Sequence, residues 1–223
     1  MIGCIIQARV GSSRLPRKVL MKVDSENSVL EFIIKQLNFS KLIDKIVIAT
    51  TSLDEDREIL EISKNFGVEC FQGNVNDVLD RYYQCAKQFN FSSIVRVTSD
   101  CPLIDPNIVD QVISKFNHGD FDYVSNKLNR TFPQGTETEI FSLESFTDVW
   151  LNASKSSERE HVTPFYYNNP NVFKISSIDY EKNISNLRWT IDYKNDLQFV
   201  TEIISRISSR PILLNNKSTS FVK

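Results

Sequence analysis

Short apolar runs alternate along the chain with longer stretches in which apolar residues recur at helical spacing. Ile2 to Ile6 has the pattern of a buried strand. Lys45 to Thr50 (KIVIAT), Val68 to Phe71, Ser93 to Thr98 (SIVRVT) and Phe121 to Val124 predict four more. Between them lie helix signals. Ser28 followed by Glu31 is a capping-box pattern that opens a helix to about Leu37. Asp54 is expected to cap a helix to about Phe66, stopped by Gly67. Val75 to Phe89 carries Val78, Leu79, Tyr82, Cys85, Ala86 and Phe89 on one helical face. Asp105-Pro106 joins an N-cap to a proline at the first helical position. Strands separated by helices of this length predict βαβ units, an α/β fold with a mainly parallel, mixed sheet flanked by helices. Residues 1–210 are expected to form one domain and 211–223 a tail, polar and frayed from Asn215. The segment from about Asn126 to Ile140 breaks the alternation and predicts either strands that extend the sheet or an arm over the site.

In such sheets, ligands bind beyond the carboxyl ends of the strands. The loops after Gln7, Thr50, Phe71 and Thr98 should therefore share one rim. The first reads QARVGSSRLPRK, Gln7 to Lys18. Gly11 frees the backbone, Ser12 and Ser13 offer hydroxyls, and Arg9, Arg14, Arg17 and Lys18 place four cations within ten residues. A polyphosphate needs free N–H groups, hydroxyls and fixed cations; a solvated basic turn is the plainer reading. Neither G-x-x-x-x-G-K-[ST] nor G-x-G-x-x-G is present. Asp100 ends the fourth strand pattern and Asp192 follows the apolar Trp189-Thr190-Ile191; neither context suits a freely solvated carboxylate. Two hard carboxylates with triphosphate oxygens and water make a suitable Mg²⁺ site, whereas the plainer role for Asp100 is a turn or cap before Pro102.

Composition narrows the classes. With 223 residues, 41% of them hydrophobic, the chain can bury one sizeable core. The net charge is −2 and no long Lys/Arg run occurs, so nucleic acid is not the expected partner. No segment approaches the ~20 apolar residues of a membrane span, and Met1-Ile2-Gly3-Cys4 lacks a signal-peptide pattern. A cytoplasmic protein without membrane partners is expected. Cys4, Cys70, Cys85 and Cys101 are too scattered for zinc or redox pairing.

The run I-I-Q-A-R-V-G-S-S-R-L-P-R-K-V-L resembles the opening of the cytidylyltransferases that activate acylneuraminate and octulosonate sugars, and in particular the spore-coat polysaccharide biosynthesis protein F family. Later runs match in order: Val47 to Thr51, Gly73 with Asp77 to Tyr83, Asp100 to Asp105, Asp122 to Asn126, Glu158 to Pro164 and Asn186 to Asp192. The resemblance implies a Rossmann-like nucleotide-diphospho-sugar transferase fold and transfer of CMP from CTP to a small polar, anionic, sugar-like acceptor. Pyrophosphate would leave, Mg²⁺ would be held by Asp100 and Asp192, and Arg14 and Lys18 would neutralise the leaving group. The nucleotide would meet Gln7, Ala8, Arg9, Gly11, Ser12, Ser13, Arg14, Lys18, Thr50, Gly73, Arg81 and Ser99. The acceptor would meet Tyr123, Asn126, Gly135, Glu137, Glu139, Arg159, His161 and Arg188, although Arg159 also suits an ion pair on a helix face and His161 a structural hydrogen bond. Relatives are commonly dimers, so a homodimer is expected. Ser99, Gln134 and Glu137 depart from the residues usual at their positions, which are glycine, a basic residue and aspartate. A nucleotide-sugar glycosyltransferase would want a D-x-D where Asp100-Cys101-Pro102 stands, and Asp54-Glu55-Asp56 falls at a helix start, where acidic residues complement the dipole. A non-catalytic scaffold would have no need to retain Arg14, Lys18, Asp100 and Asp192.

Overall fold

The structure is a computed structural model that describes residues 1–207 and 209–214. Seven strands form one sheet: β1 (Ile2–Gln7), β2 (Lys45–Thr51), β3 (Glu69–Gly73), β4 (Ser93–Thr98), β5 (Tyr123–Ser125), β6 (Glu139–Ser142) and β7 (Ile175–Ser177). Their order is β3-β2-β1-β4-β6-β5-β7. The first four are mutually parallel, β5 and β7 are parallel to each other, and β6 runs antiparallel between β4 and β5. The segment that broke the sequence pattern is irregular for most of its length and leads into β6, with only Glu139 and Ile140 lying in that strand.

The eight α-helices among the described residues are α1 (Val29–Leu37), α2 (Arg57–Phe66), α3 (Val78–Gln88), α4 (Pro106–Asn117), α5 (Leu143–Asn152), α6 (Ser156–His161), α7 (Pro164–Asn168) and α8 (Lys194–Arg206). Strand alternation sends Cys4 and Ile6 of β1 to one face and Ile5 to the other. The first face packs on α1, α4 and α8 through Ile33, Val109 and Ile204; the second packs on α3, α5 and α7 through Tyr82, Phe146 and Tyr166.

The local signals at α1 and α4 hold. Ser28 accepts from the Glu31 N–H at 3.4 Å while the Glu31 carboxylate accepts from the Ser28 N–H at 2.6 Å. Asp105 accepts from the Asn107 N–H at 2.8 Å. Gly67 closes α2 in the left-handed conformation, φ 64°. Asp54 does not cap α2. A 3-10 turn spans Asp54–Asp56, and the buried Asp56 carboxylate instead takes the Val10 N–H at 2.6 Å and the Thr51 hydroxyl, which anchors the loop after β1. Residues 211–214 are not part of a loose tail: Ile212 is buried, the Gln36 amide bonds both its N–H (3.0 Å) and its carbonyl (2.9 Å), and the Leu214 N–H reaches Asp105 at 2.6 Å. The expectation for Asn215 onward lies outside the described residues.

Candidate active site

The parallel run reverses direction at β1 and β4: successive strands β1, β2 and β3 step one way and β4 lies on the other side of β1. Loops leaving two such neighbours diverge to opposite faces and open a crevice at their carboxyl ends. A cavity of about 330 Å³ lies there. Gln7, Ala8, Arg9, Gly11, Ser12, Ser13, Arg14 and Lys18 line it from the loop after β1, Thr98, Ser99 and Asp100 from β4, Val78 and Arg81 from α3, and Glu160 and His161 from the end of α6. A larger, mostly apolar groove of about 1040 Å³ beside Phe32, Phe39 and Ile204 contains none of these residues.

One ammonium organises the wall of the cavity. Lys18 Nζ lies 3.0 Å from Asp100 Oδ2, 3.2 Å from Asp192 Oδ1 and 2.8 Å from the Ile191 carbonyl. Asp192 also receives Arg14 Nη2 at 2.8 Å and Arg188 Nη2 at 2.6 Å. The backbone reinforces the meeting, because the Ile191 N–H donates to the Asp100 carbonyl at 2.8 Å. Burial alone would raise the Asp100 carboxyl, but Lys18 and the Thr98 hydroxyl at 2.7 Å hold it below its ordinary value. Two carboxylate oxygens close to a single point suit one small cation. Among the described residues no cluster of three or more His, Cys, Asp or Glu side chains is placed to hold a metal. The two carboxylates, Asp100 and Asp192, are a donor set of the kind Mg²⁺ takes, since it uses one or two carboxylates and completes its shell from phosphate and water.

Arg81 forms the opposite wall. It is 2% exposed, and its Nε and Nη1 have no hydrogen-bond partner. Burial lowers its pKa, and the charge of Arg9 acts in the same direction. Arg81 lines the cavity while these two nitrogens are themselves shielded from solvent, so a ligand that brings acceptor oxygens or nitrogens would suit them only if the side chain shifts toward it. A second, smaller pocket of about 130 Å³ lies between Asn126, Lys127, Arg130, Phe132, Gln134, Glu137 and Ser185. The Glu137 carboxylate accepts the Gly135 N–H at 2.6 Å, and burial raises its pKa.

The family model described as cytidylyltransferase matches residues 3–219. The chain belongs to the cytidylyltransferase family. It is 32% identical over 219 residues to the spore coat polysaccharide biosynthesis protein SpsF of Bacillus subtilis (strain 168), covering 93% of this chain and 88% of that one. A cytidylyltransferase structure from Leptospira borgpetersenii superposes with a TM-score of 0.89 at 36% identity, over 93% of this chain and 88% of that chain. A CMP:2-keto-3-deoxy-manno-octonic acid synthetase solved with CTP shares the fold, with a TM-score of 0.69 at 14% identity over 92% and 98% of the two chains. The fold is the Rossmann-like nucleotide-diphospho-sugar transferase fold, and the family is one of nucleotidyl-transfer enzymes.

This cytidylyltransferase brings together most of the residues expected at the nucleotide, with two exceptions. Thr50 is fully buried within β2 and does not reach the cavity. Gly73 ends β3 outside it and acts at one remove: a Cβ there would lie 3.0 Å from Arg81 Cγ. Arg17 adopts φ 62° and turns to Glu58 at 2.7 Å, away from the cavity.

The residues expected at the acceptor are not brought together in one place. Arg159 is consumed by Asp77 (2.9 and 2.5 Å) and the Trp150 carbonyl (2.9 Å), where it clamps α6 to the start of α3. Tyr123 is buried with its hydroxyl on Glu139 at 2.7 Å, and Glu139 is itself 1% exposed. Gly135 is a turn residue at φ 101° beneath the Trp189–Thr190 backbone. Arg188 is turned to Asp192, and His161 lines the main cavity. Only Asn126 and Glu137 of the set line the second pocket, and the Asn126 side chain is tied to the Thr136 carbonyl and Thr138 N–H, both at 2.8 Å. The sequence reading missed Arg96, Glu160, Lys127 and Arg130. Arg96 carried a signal, because a charge inside the apolar strand SIVRVT demands a buried partner. Lys127 and Arg130 carried none beyond their place in the irregular segment.

Proposed function

We propose that the chain transfers CMP from CTP to a small anionic, sugar-like acceptor, releasing pyrophosphate, in the synthesis of a surface polysaccharide or glycan. The convergence of Asp100, Asp192 and Lys18 on one point at the rim of the cation-lined β1/β4 crevice carries this reading, and membership of the cytidylyltransferase family supports the choice of CTP. The similarity to the spore coat polysaccharide biosynthesis protein SpsF supports the polysaccharide context.

Asp100 and Asp192 would hold Mg²⁺, which when bound stabilises charge on the α-phosphate and lowers the pKa of the attacking hydroxyl. The chain's own work is positional and electrostatic. The acceptor hydroxyl gives its proton to solvent, its oxygen attacks the α-phosphorus in line, and the bond to the pyrophosphate oxygen breaks. Free N–H groups and hydroxyls around Gly11, Ser12 and Ser13 cradle the phosphates. Arg14, more than half exposed, swings to the leaving pyrophosphate, and Lys18 exchanges its carboxylate partners for phosphate oxygens. Arg81 supplies donors to the base.

The acceptor's anionic group fits the second pocket, where Arg130 has no hydrogen bond or ion pair to another described residue and Lys127 stands 3.7 Å from Glu139. A cytoplasmic location and a homodimer are part of the same proposal; no helix among the described residues is long and apolar enough to cross a membrane.

Thermal stabilisation by each of the four nucleoside triphosphates, with and without Mg²⁺, tests the nucleotide half directly. A midpoint shift with CTP and Mg²⁺, followed by acceptor-dependent pyrophosphate release, supports the reading. A shift with UDP- or GDP-sugars and release of nucleoside diphosphate would replace it with a glycosyltransferase.

A further inference from the structure

Arg96 lies in the middle of β4, in the centre of the sheet, where a charge is costly unless it is paired. One arm meets that cost: Nη1 pairs with Glu139. Glu139 is held in turn by the Tyr123 hydroxyl at 2.7 Å and the Thr163 hydroxyl at 2.6 Å. The Tyr82 ring centroid lies 5.9 Å from the guanidinium carbon. The guanidinium is therefore fixed on several sides.

Its second arm does something the sheet does not require. Nη2 donates to Gln7 Oε1 at 3.0 Å. In the β1–β4 register Ile5 faces Arg96 and Gln7 faces Thr98, so Arg96 and Gln7 share one face of the sheet with Gln7 one step nearer the carboxyl ends. A guanidinium only donates, so the Gln7 atom turned to it must be the oxygen. The Gln7 NH₂ is left over, and no described side chain or carbonyl accepts from it. Gln7 is only partly buried, and it lines the nucleotide cavity beside Arg81.

We infer that Arg96, clamped by Glu139, is a positioning residue that locks the Gln7 carboxamide with its NH₂ toward the nucleotide, so that Gln7 reads an acceptor oxygen and rejects a donor at the same place. The oxygen is either a base carbonyl or a ribose oxygen; both are acceptors in the same crevice. A free glutamine would flip to suit either a donor or an acceptor. The Arg96 lock removes that choice, so it serves selectivity as well as affinity.

The inference rests on the nucleotide-binding half of the proposed function, and the test separates the two. CTP affinity with Mg²⁺ is measured by calorimetry for wild type, Arg96→Lys, Gln7→Met and the double variant. Lysine keeps a positive charge opposite Glu139 but cannot reach both partners as a fork. Each single change is expected to weaken CTP about tenfold, the size of one hydrogen bond with its orientation lost. In the Gln7→Met background, Arg96→Lys should cost nothing more, because the group it positions is gone. Gln7→Glu, which still accepts from Arg96 but presents no N–H, should lose at least as much as Gln7→Met. Comparing CTP with its 2′-deoxy and 3′-deoxy forms assigns the oxygen: a Gln7→Met penalty that vanishes for either deoxy nucleotide places it on that ribose hydroxyl, and one that persists for both places it on the base. Additive penalties in the double variant would overturn the positioning role and leave Arg96 a purely structural ion pair. Wild-type protein that binds none of the four triphosphates would overturn the nucleotide reading together with this one.

Discussion

Replacing Lys18 by methionine keeps the aliphatic stem but removes the ammonium from between Asp100 and Asp192. That ammonium stands where, on the proposed function, a divalent cation would bind, at 3.0 and 3.2 Å from the two carboxylates, and all three side chains are largely shielded from water. A bare metal ion must displace it. Each charge-assisted hydrogen bond of this kind contributes about 1.5–3 kcal/mol, and part of the loss is recovered when the displaced ammonium reaches solvent or a phosphate. A net penalty of roughly 2 kcal/mol follows, equivalent to about 30-fold in affinity. Lys18→Met should therefore bind Mn²⁺ some 10–100-fold more tightly than wild type in the absence of nucleotide, read from the free-ion signal in electron paramagnetic resonance, while its turnover falls. Arg17→Met is the control: Arg17 is exposed and paired to Glu58, so the metal affinity should not change. Unchanged or weaker Mn²⁺ binding by Lys18→Met would refute the idea that the lysine and the metal compete for one place.

Three other outcomes are expected. Glu139→Gln leaves Arg96 buried without a counter-charge and should cost about 3–5 kcal/mol in urea denaturation at neutral pH. The Glu139 carboxyl, pushed up by burial but pulled down to about 2 by Arg96, Lys127, Thr163 and Tyr123, lies below its unfolded value. The stability it contributes is present above pH ~4.5 and lost as pH falls toward about 2, so the gap between wild type and Glu139→Gln should narrow across that window. Gly135→Ala should destabilise by about 2–4 kcal/mol and lower kcat/KM, because φ is 101° and the new Cβ would lie 2.7 Å from the Thr190 nitrogen and Trp189 carbonyl carbon, two residues from Asp192. Arg130→Ala should raise the acceptor KM about tenfold without altering CTP affinity; an equal loss of CTP binding would move the acceptor out of the second pocket.

What was readable in the sequence follows the range of the forces involved. The strands β1, β2 and β4 and the caps of α1 and α4 were legible because each is set by neighbours within a few residues. The loop after β1 was legible as a cavity wall because its hydroxyls and cations are contiguous. The short β5 was legible from Phe121 to Val124, but the three-residue β7 and the insertion of β6 between β4 and β5 were not, since so few positions carry no period and strand order depends on partners elsewhere. Asp54 looked like a cap because residue type is the only local signal; Asp56 is drawn inward by the backbone of Val10, 46 residues away. Arg159 looked like an acceptor ligand for the same reason, and its partner Asp77 is 82 residues distant. Residue type showed that a cation was present, and only the fold decided which anion it meets.

The contact between Lys18 and Asp192 joins positions 174 residues apart, and the Ile191–Asp100 backbone bond fastens the same knot. Closing so long a loop is entropically costly and comes late, after the local units have formed. A ligand that grips the early loop and the late aspartate together acts as a removable cross-link between the first strand's exit and the last part of the domain. Its absence should show as faster amide exchange around Ile191 and Asp192 than in the sheet centre, and its arrival as slowing there first. On the proposed function, substrate would complete the chain's closure as well as occupy its crevice.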